Sequence, residues 1–243
     1  MEKQEKIMRK FYVDKEVTND KIILENDYNH IVNVLRKKIG DKIIIFNNMG
    51  VDYECEIEKI NKKNIELRVI NQKENIKDNK TKITLFQALI KSDKLELIIQ
   101  KLTELNIDNM FLFESEHTVV KSRETRLDKF NKISIEACKQ CERSKSIGLN
   151  FIGNFNNLIN ELKKYDCVFF AYEKSEKPLK DVLKNSKCNN IAIVVGAEGG
   201  FSSAEQEKLI KLDNVKEVSL SKNILRAETA SIFLSSIMMY EFN

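Results

Sequence analysis

The sequence predicts an α/β chain in two parts, a small β-rich module followed by a larger domain built on a parallel sheet. Three observations carry this reading. Apolar and polar residues alternate with a period of two between Val51 and Val69, and the polar run Asn71–Lys80 then interrupts the chain. Beyond it, short apolar runs alternate with amphipathic helices, the grammar of strands joined by helical crossovers. The division is placed at 73/74, giving parts 1–73 and 74–243.

In chain order, the residues before Met8 read as a frayed, charged extension. Tyr28, Ile31 and Leu35 recur at helical spacing within Asp27–Arg36, and Gly40-Asp41 turns the chain into a strand over Lys42–Phe46. Val51, Tyr53, Cys55 and Ile57 alternate with acidic residues, and Ile65, Leu67 and Val69 with Glu66 and Arg68, so two half-exposed strands meet at a hairpin loop, Asn61–Asn64. A helix embedded in a compact antiparallel sheet or barrel is the expected module. In the second part, strands are expected over Ile83–Ile90, Met110–Phe113, Cys167–Ala171, Ile191–Val195 and Val215–Leu220. A helix over Lys94–Leu105 aligns Leu95, Ile98, Ile99, Leu102 and Leu105 on one face, and Ser202-Ser-Ala-Glu205 has the capping-box pattern of a helix start.

A chain of 243 residues, 42% of them hydrophobic, is long enough to bury a sizeable core. Its net charge of only +4 leaves an anionic partner to a local patch, and residues 121–145 supply one with eight basic residues against four acidic. Glu2 and Glu5 argue against a transit peptide, no apolar run is long enough to span a bilayer, and a cytoplasmic location is expected, with no membrane partner. The odd number of cysteines, five, favours reduced thiols behaving as small core residues. Cys138 and Cys141 have ligand spacing, but no second pair accompanies them and neither His30 nor His117 is placed to supply one. No metal is expected.

Three of the seven glycines fall within five residues, in Gly196-Ala-Glu-Gly-Gly200, where a buried strand stops and a helix begins. Such a cluster lets main-chain N–H groups approach a ligand. It lacks the spacing of the dinucleotide fingerprint and the Lys-Ser/Thr ending of a phosphate loop, and Glu198 suits a cationic or hydrogen-bonding ligand better than a pyrophosphate. A second unusual string, Leu220-Ser-Lys-Asn-Ile-Leu-Arg-Ala-Glu-Thr-Ala230, follows one strand later.

These two strings, with Gln87-Ala-Leu-Ile-Lys-Ser-Asp-Lys94, Gln100–Asn106, Glu136–Arg143 and His30–Arg36, closely resemble the RsmE family, 16S ribosomal RNA uridine-N3 methyltransferases of the SPOUT superfamily. The match runs over nearly the whole chain from Met8. The resemblance implies a PUA-like RNA-binding β-barrel followed by an α/β domain with a trefoil knot, S-adenosyl-L-methionine (SAM) as cofactor, a homodimer, and 16S rRNA of the small subunit as partner. It further implies that Ala171 and Tyr172, then Gly196, Ala197, Glu198, Gly199 and Gly200, then Leu220, Ser221, Asn223, Ile224 and Leu225, hold the cofactor on three loops. Ala197 stands where the family commonly has Pro, Ser221-Lys222-Asn223 where it has a Gly-Pro-Arg type of turn, and His117 where it commonly has Arg.

The reaction constrains roles. Uridine N3 must lose a proton before or during attack on the sulfonium methyl, and charge then develops on O2 and O4. Arg226 is the expected donor to that charge, and Glu228 or Glu198 accepts the proton or orients Arg226; the plainer alternative is a salt bridge between Arg226 and Glu228 at a helix start. Arg143 with Lys121, Arg123 and Arg126 are expected to neutralise phosphates, and His30 and Arg36 either contact RNA or pack a helix end on the barrel. The last helix, Glu228–Phe242, carries more apolar surface than one sheet needs and is the expected dimer face. Two rivals stay open, a related knotted enzyme acting on a ribose 2′-hydroxyl or another base, and an RNA-binding assembly factor without activity.

Overall fold

The computed structural model describes residues 9–15, 17, 20–75, 79–120, 127–184 and 187–243. They gather into two compact units: the described residues of Met1–Lys77 with Ile135–Ser146, and those of Asp78–Ser134 with Ile147–Asn243. Among the described residues no helix is long and apolar enough to cross a membrane.

The first unit is a mixed sheet of β1 (Lys10–Tyr12), β2 (Lys21–Leu24), β3 (Lys42–Phe46), β4 (Val51–Ile60) and β5 (Ile65–Glu74), in the order β1-β3-β4-β5-β2. The β1–β3 pair is parallel and the others antiparallel, so the expected all-antiparallel sheet is corrected to a mixed one. β1 and β2 stand at its two ends with no ladder between them among the described residues, so the barrel is not closed by hydrogen bonds. The period-two pattern does its expected work: Tyr53, Cys55, Ile57, Ile65 and Leu67 point into a core with Phe11, Ile22, Leu24, Ile31, Ile43 and Ile45. Burial pushes the Cys55 thiol up to about 12, with Glu54 adding to it. The helix expected over Asp27–Arg36 is cut to one π-helical turn, His30–Val34, because Asp27 (φ 62°) and Arg36 (φ 52°) adopt left-handed backbone at its two ends.

A polar cluster fixes Ile135–Ser146 to this unit. Lys10, only 6% exposed, donates to Asp52, to the Glu142 carbonyl at 2.9 Å and to Ser144 Oγ at 2.9 Å. Asn75 donates to Asp52 at 2.7 Å and to the same Glu142 carbonyl at 3.1 Å, and Ser146 N–H to Asn48 at 2.6 Å. A buried ammonium is tolerated only when so paired.

The second unit is a parallel sheet with the order β11-β9-β10-β6-β7-β8, from β6 (Lys82–Ala88), β7 (Asn109–Glu114), β8 (Gly148–Asn154), β9 (Cys167–Ala171), β10 (Asn190–Val195) and β11 (Val215–Val218). Consecutive residues Ile83–Ala88 and Ile191–Val195 are all buried, and since neighbours on a strand face opposite ways, both faces of the central strands are covered. The helices are α1 (Ser92–Glu104), α2 (Leu127–Cys141), α3 (Phe155–Leu162), α4 (Leu179–Leu183), α5 (Ser203–Ile210) and α6 (Ala227–Phe242); α2 runs from this unit into Ile135–Ser146. α6 packs on β6 and β10 and against α1. The chain order reverses between β6 and β10, and in such sheets ligands collect outside the carboxyl ends of the strands at the reversal.

The cysteine expectation needs correction at one pair. Cys167 opens β9 and Cys188 lies two residues before β10; because those strands run side by side and parallel, their starts come within 6.0 Å between Cα atoms and the two are disulfide-bonded. Cys55, Cys138 and Cys141 are not disulfide-bonded, and no group of potential metal ligands forms among the described residues.

Candidate active site

β9, β10 and β11 are near neighbours that end on the same edge of the sheet, so the three loops leaving them meet there. They enclose a cleft of about 540 Å³, within the usual range for a small-molecule site. Ala171 and Tyr172 line it from the end of β9, and Gly196, Ala197, Glu198, Gly199 and Gly200 from the turn after β10. Leu220, Ser221, Asn223, Ile224 and Leu225 line it after β11. The structure also places Glu173, Lys94, Arg226 and Glu228 on its walls, of which Glu173 and Lys94 were not foreseen as site residues.

The glycine turn is held from behind by side chains. Gln87, fully buried, donates to the Gly196 carbonyl at 3.1 Å and to Ala88 O at 2.9 Å, while Ser231 of α6 donates to its oxygen. Gly200, at φ 68°, closes the turn by donating to Ala197 O at 3.0 Å. A Cβ on Gly196 would stand 2.9 Å from the Phe201 ring, which itself packs edge-on against Phe170 at 5.1 Å. Ser202 and Glu205 form the expected capping box, and Glu205 also accepts from Glu116 N–H at 2.9 Å. Next to it, His117 donates from Nδ1 to the Gly199 carbonyl at 2.9 Å. A Cβ on Gly199 would point at His117 Cβ, 2.9 Å away.

The expected catalytic residues occupy different environments. Arg226 is exposed at the rim as the residue preceding α6, and Glu198 is exposed on the glycine turn. Glu228, 9% exposed, forms an ion pair with Lys94 of α1. Burial works to raise the Glu228 carboxyl, but the Lys94 hydrogen bond and the nearby Lys94 and Arg226 charges hold it below the ordinary value, so it stays ionised and only weakly basic. Its second oxygen, Oε2, is buried without a hydrogen-bond partner among the described residues. The sequence did contain a signal for Lys94: a cation in the first turn of a helix stands against the helix dipole and calls for a specific partner.

The RNA-contact candidates lie elsewhere in the chain. His30 stacks edge-on with Phe11 at 6.1 Å and borders a pocket of about 560 Å³ in the first unit with Arg9, Asp27 and Lys139. Lys139 is tied to Asp27 at 2.9 Å and Glu136 at 2.8 Å; burial lowers its pKa, but these carboxylates carry it above the ordinary lysine value. Arg36 is exposed and Arg143 half-buried, both in the first unit, whereas Lys121, Arg123 and Arg126 lie outside the described residues.

Comparison with known proteins adds to this geometry. Residues 77–239 match a family described as RNA methyltransferase domain, and residues 23–70 one described as RNA methyltransferase PUA domain. A ribosomal RNA small subunit methyltransferase E of Bacillus subtilis is 31% identical over 229 residues, covering 90% of this chain and 89% of that protein. One from Rickettsia conorii is 33% identical over 225 residues, covering 88% and 87%. A solved protein of Legionella pneumophila, assigned as a methyltransferase and bound to SAM, is 25% identical with a TM-score of 0.84 over 96% of this chain and 97% of its own.

Proposed function

Since this chain belongs to the RsmE family of small-subunit ribosomal RNA methyltransferases, we propose that it transfers the methyl group of SAM to N3 of uridine 1498 of 16S rRNA. As a member it is a SAM-dependent RNA methyltransferase. The observation that carries the reading is the cleft itself, a crevice of main-chain groups and apolar side chains at the carboxyl ends of three parallel strands, with Lys94, Lys222, Arg226 and the buried Glu228 on its wall.

The residues fit SAM. Val195, Leu220 and Leu225 supply apolar contacts, the glycine turn and the loop after β11 expose main-chain donors and acceptors, and Glu173 and Glu198 suit the ribose hydroxyls and the ammonium group. When bound, SAM supplies an electrophilic methyl on a positively charged sulfur. The chain's own part is to hold uracil in line, receive its N3 proton and stabilise the charge left on O2 and O4. Arg226, permanently charged and at the rim, serves one of those oxygens. Glu228 is occupied by Lys94, so Glu198 is the carboxylate assigned to the proton.

The same reading includes a trefoil knot, a homodimer and RNA contacts from the first unit. For the knot, the support is that the segment after β11 pairs with the one before α4, Ser219 N–H donating to Lys177 O at 2.8 Å and Leu179 N–H to Ser219 O at 3.0 Å, before α6 turns back onto β6 and β10. For the dimer, it is the apolar groove along α6 that leaves Phe233 and Tyr240 exposed. For RNA, it is exposed Arg36 with His30 and Arg143 on a unit matched to a PUA domain, with Lys121, Arg123 and Arg126 contributing further charge. The test is to incubate the protein with SAM and small subunits from a strain lacking the modification and to identify the methylated nucleoside by mass spectrometry. N3-methyluridine at position 1498 is expected; a 2′-O-methylated nucleoside or no product overturns the reading.

A further inference from the structure

We propose that Lys94 is a second cationic donor of this site, set in place by Glu228 to stabilise the charge that develops on a uracil carbonyl oxygen as N3 is methylated. The inference rests on the N3 reading above and extends it to a residue that reading does not need.

Three observations point there. The chain leaves the carboxyl end of β6 at the reversal point of the sheet and enters α1, where Lys94 lines the same cleft as Gly196 and Arg226. It occupies the first turn of α1, where a positive charge opposes the helix dipole, so helix stability gives no reason for it. It is largely but not fully buried, at 22% exposure, and donates to one described partner, Glu228 Oε1, which leaves two N–H groups for a ligand.

Glu228 is suited to orient and unsuited to take a proton. It lies in the first turn of α6, where the dipole favours an anion, and it is nine-tenths buried. The hydrogen bond from Lys94 and the charges beside it keep it ionised. An ionised carboxylate of lowered basicity is a poor base for the weakly acidic N3–H, but a firm acceptor that fixes an ammonium. Stability alone is a weak reason for such a pair, because a buried ion pair often does no better than apolar side chains of the same volume.

The step then balances as follows. The N3–H bond breaks and its proton passes to Glu198, and from there to water. The N3 electron pair forms a bond to the methyl carbon while the carbon–sulfur bond breaks and returns its pair to sulfur, giving N3-methyluridine and S-adenosylhomocysteine. Negative charge resides on O2 and O4 in the transition state, one oxygen facing Arg226 and the other Lys94.

The experiment compares wild type, Lys94→Met, Lys94→Arg and the double variant Lys94→Met/Glu228→Gln. The double variant removes both charges together and so avoids leaving an unpaired buried carboxylate. Each is assayed for thermal unfolding, SAM binding by calorimetry, and single-turnover methylation of small subunits reconstituted with uridine or 5-fluorouridine at the target position. Fluorine acidifies N3 and lessens the need for charge stabilisation. The double variant should unfold and bind SAM like wild type yet methylate uridine roughly a hundredfold more slowly. That defect should shrink roughly tenfold on 5-fluorouridine, with Lys94→Arg retaining more rate than Lys94→Met. Wild-type rates in the double variant, an equal defect on both nucleosides, or lost SAM binding overturns the assignment. A wild-type product other than N3-methyluridine instead brings down the underlying reading, so the two failures are told apart.

Discussion

The carboxamide of Gln87 on β6 donates to the carbonyl of Gly196 at 3.1 Å, and its own oxygen accepts from Ser231 on α6. One fully buried amide thus joins a central strand, the glycine turn and the last helix. Gln87→Leu keeps the volume and strands the polar groups. Each buried group left unpaired costs about 1–3 kcal/mol, so urea unfolding should show a loss in that range. Calorimetry should show weaker SAM binding as the Gly196 carbonyl drifts. A variant that binds SAM as tightly as wild type would mean that the turn is held by other contacts.

Gly199 is needed for what lies behind it. A side chain there meets His117 Cβ at 2.9 Å, so bulk at this position acts by displacing the His117 segment. Gly199→Ala should therefore weaken SAM binding roughly tenfold by disturbing the turn, and Gly199→Ala/His117→Gly, which removes the opposing Cβ, should recover most of it. No recovery in the double variant refutes this.

Glu228 gives acid sensitivity a definite sign. Its folded pKa lies below the ordinary carboxylate value of about 4.3. The unfolded chain therefore takes up the proton first as pH falls. The stabilisation is complete above the ordinary value and fades as pH drops through the lower folded one. Unfolding free energies of wild type and Glu228→Gln should differ by a constant amount at neutral pH and converge below about pH 4. A difference that grows on acidification would reverse the sign.

Along α6, Phe233 is 42% and Tyr240 86% exposed, beside Leu97 of α1 at 41%. Phe233→Asp should leave the fold intact, since the side chain is not in the core, and should convert a dimer into a species of 28.3 kDa by light scattering. A wild-type mass of 28.3 kDa removes the dimer altogether.

What could be read from sequence came from local periodicity, glycine chemistry and the resemblance to the RsmE family. Ile57 and Leu67 fell on the buried face because a strand has period two, and Lys42–Phe46 matched β3 because Gly40-Asp41 turns the chain into it. The glycine turn was legible because glycines cluster there between a strand and a capped helix, and Leu220–Ala230 stood out as an unusual string, whereas Ala171 and Tyr172 were pointed to only by the resemblance to the RsmE family. β8 was missed because an edge strand with half-exposed residues and Asn-rich composition shows neither alternation nor an apolar run. The Lys94–Glu228 and Cys167–Cys188 pairs were missed because each joins residues brought together only by strand order. The π turn at His30 was read as a longer helix because left-handed Asp27 and Arg36 leave no mark on hydrophobic spacing.

The cluster around Lys10 bears on how this chain comes off the ribosome that makes it. Its ammonium is buried only once Glu142 and Ser144 have arrived, 132 and 134 residues later. More than half of the polypeptide must therefore be synthesised before the amino-terminal sheet can close over its own charge. Cotranslational folding cannot proceed strictly from front to back here, and a fragment ending at Lys77 would carry Asp52 beside this cation but lack the Glu142 and Ser144 that complete its shell.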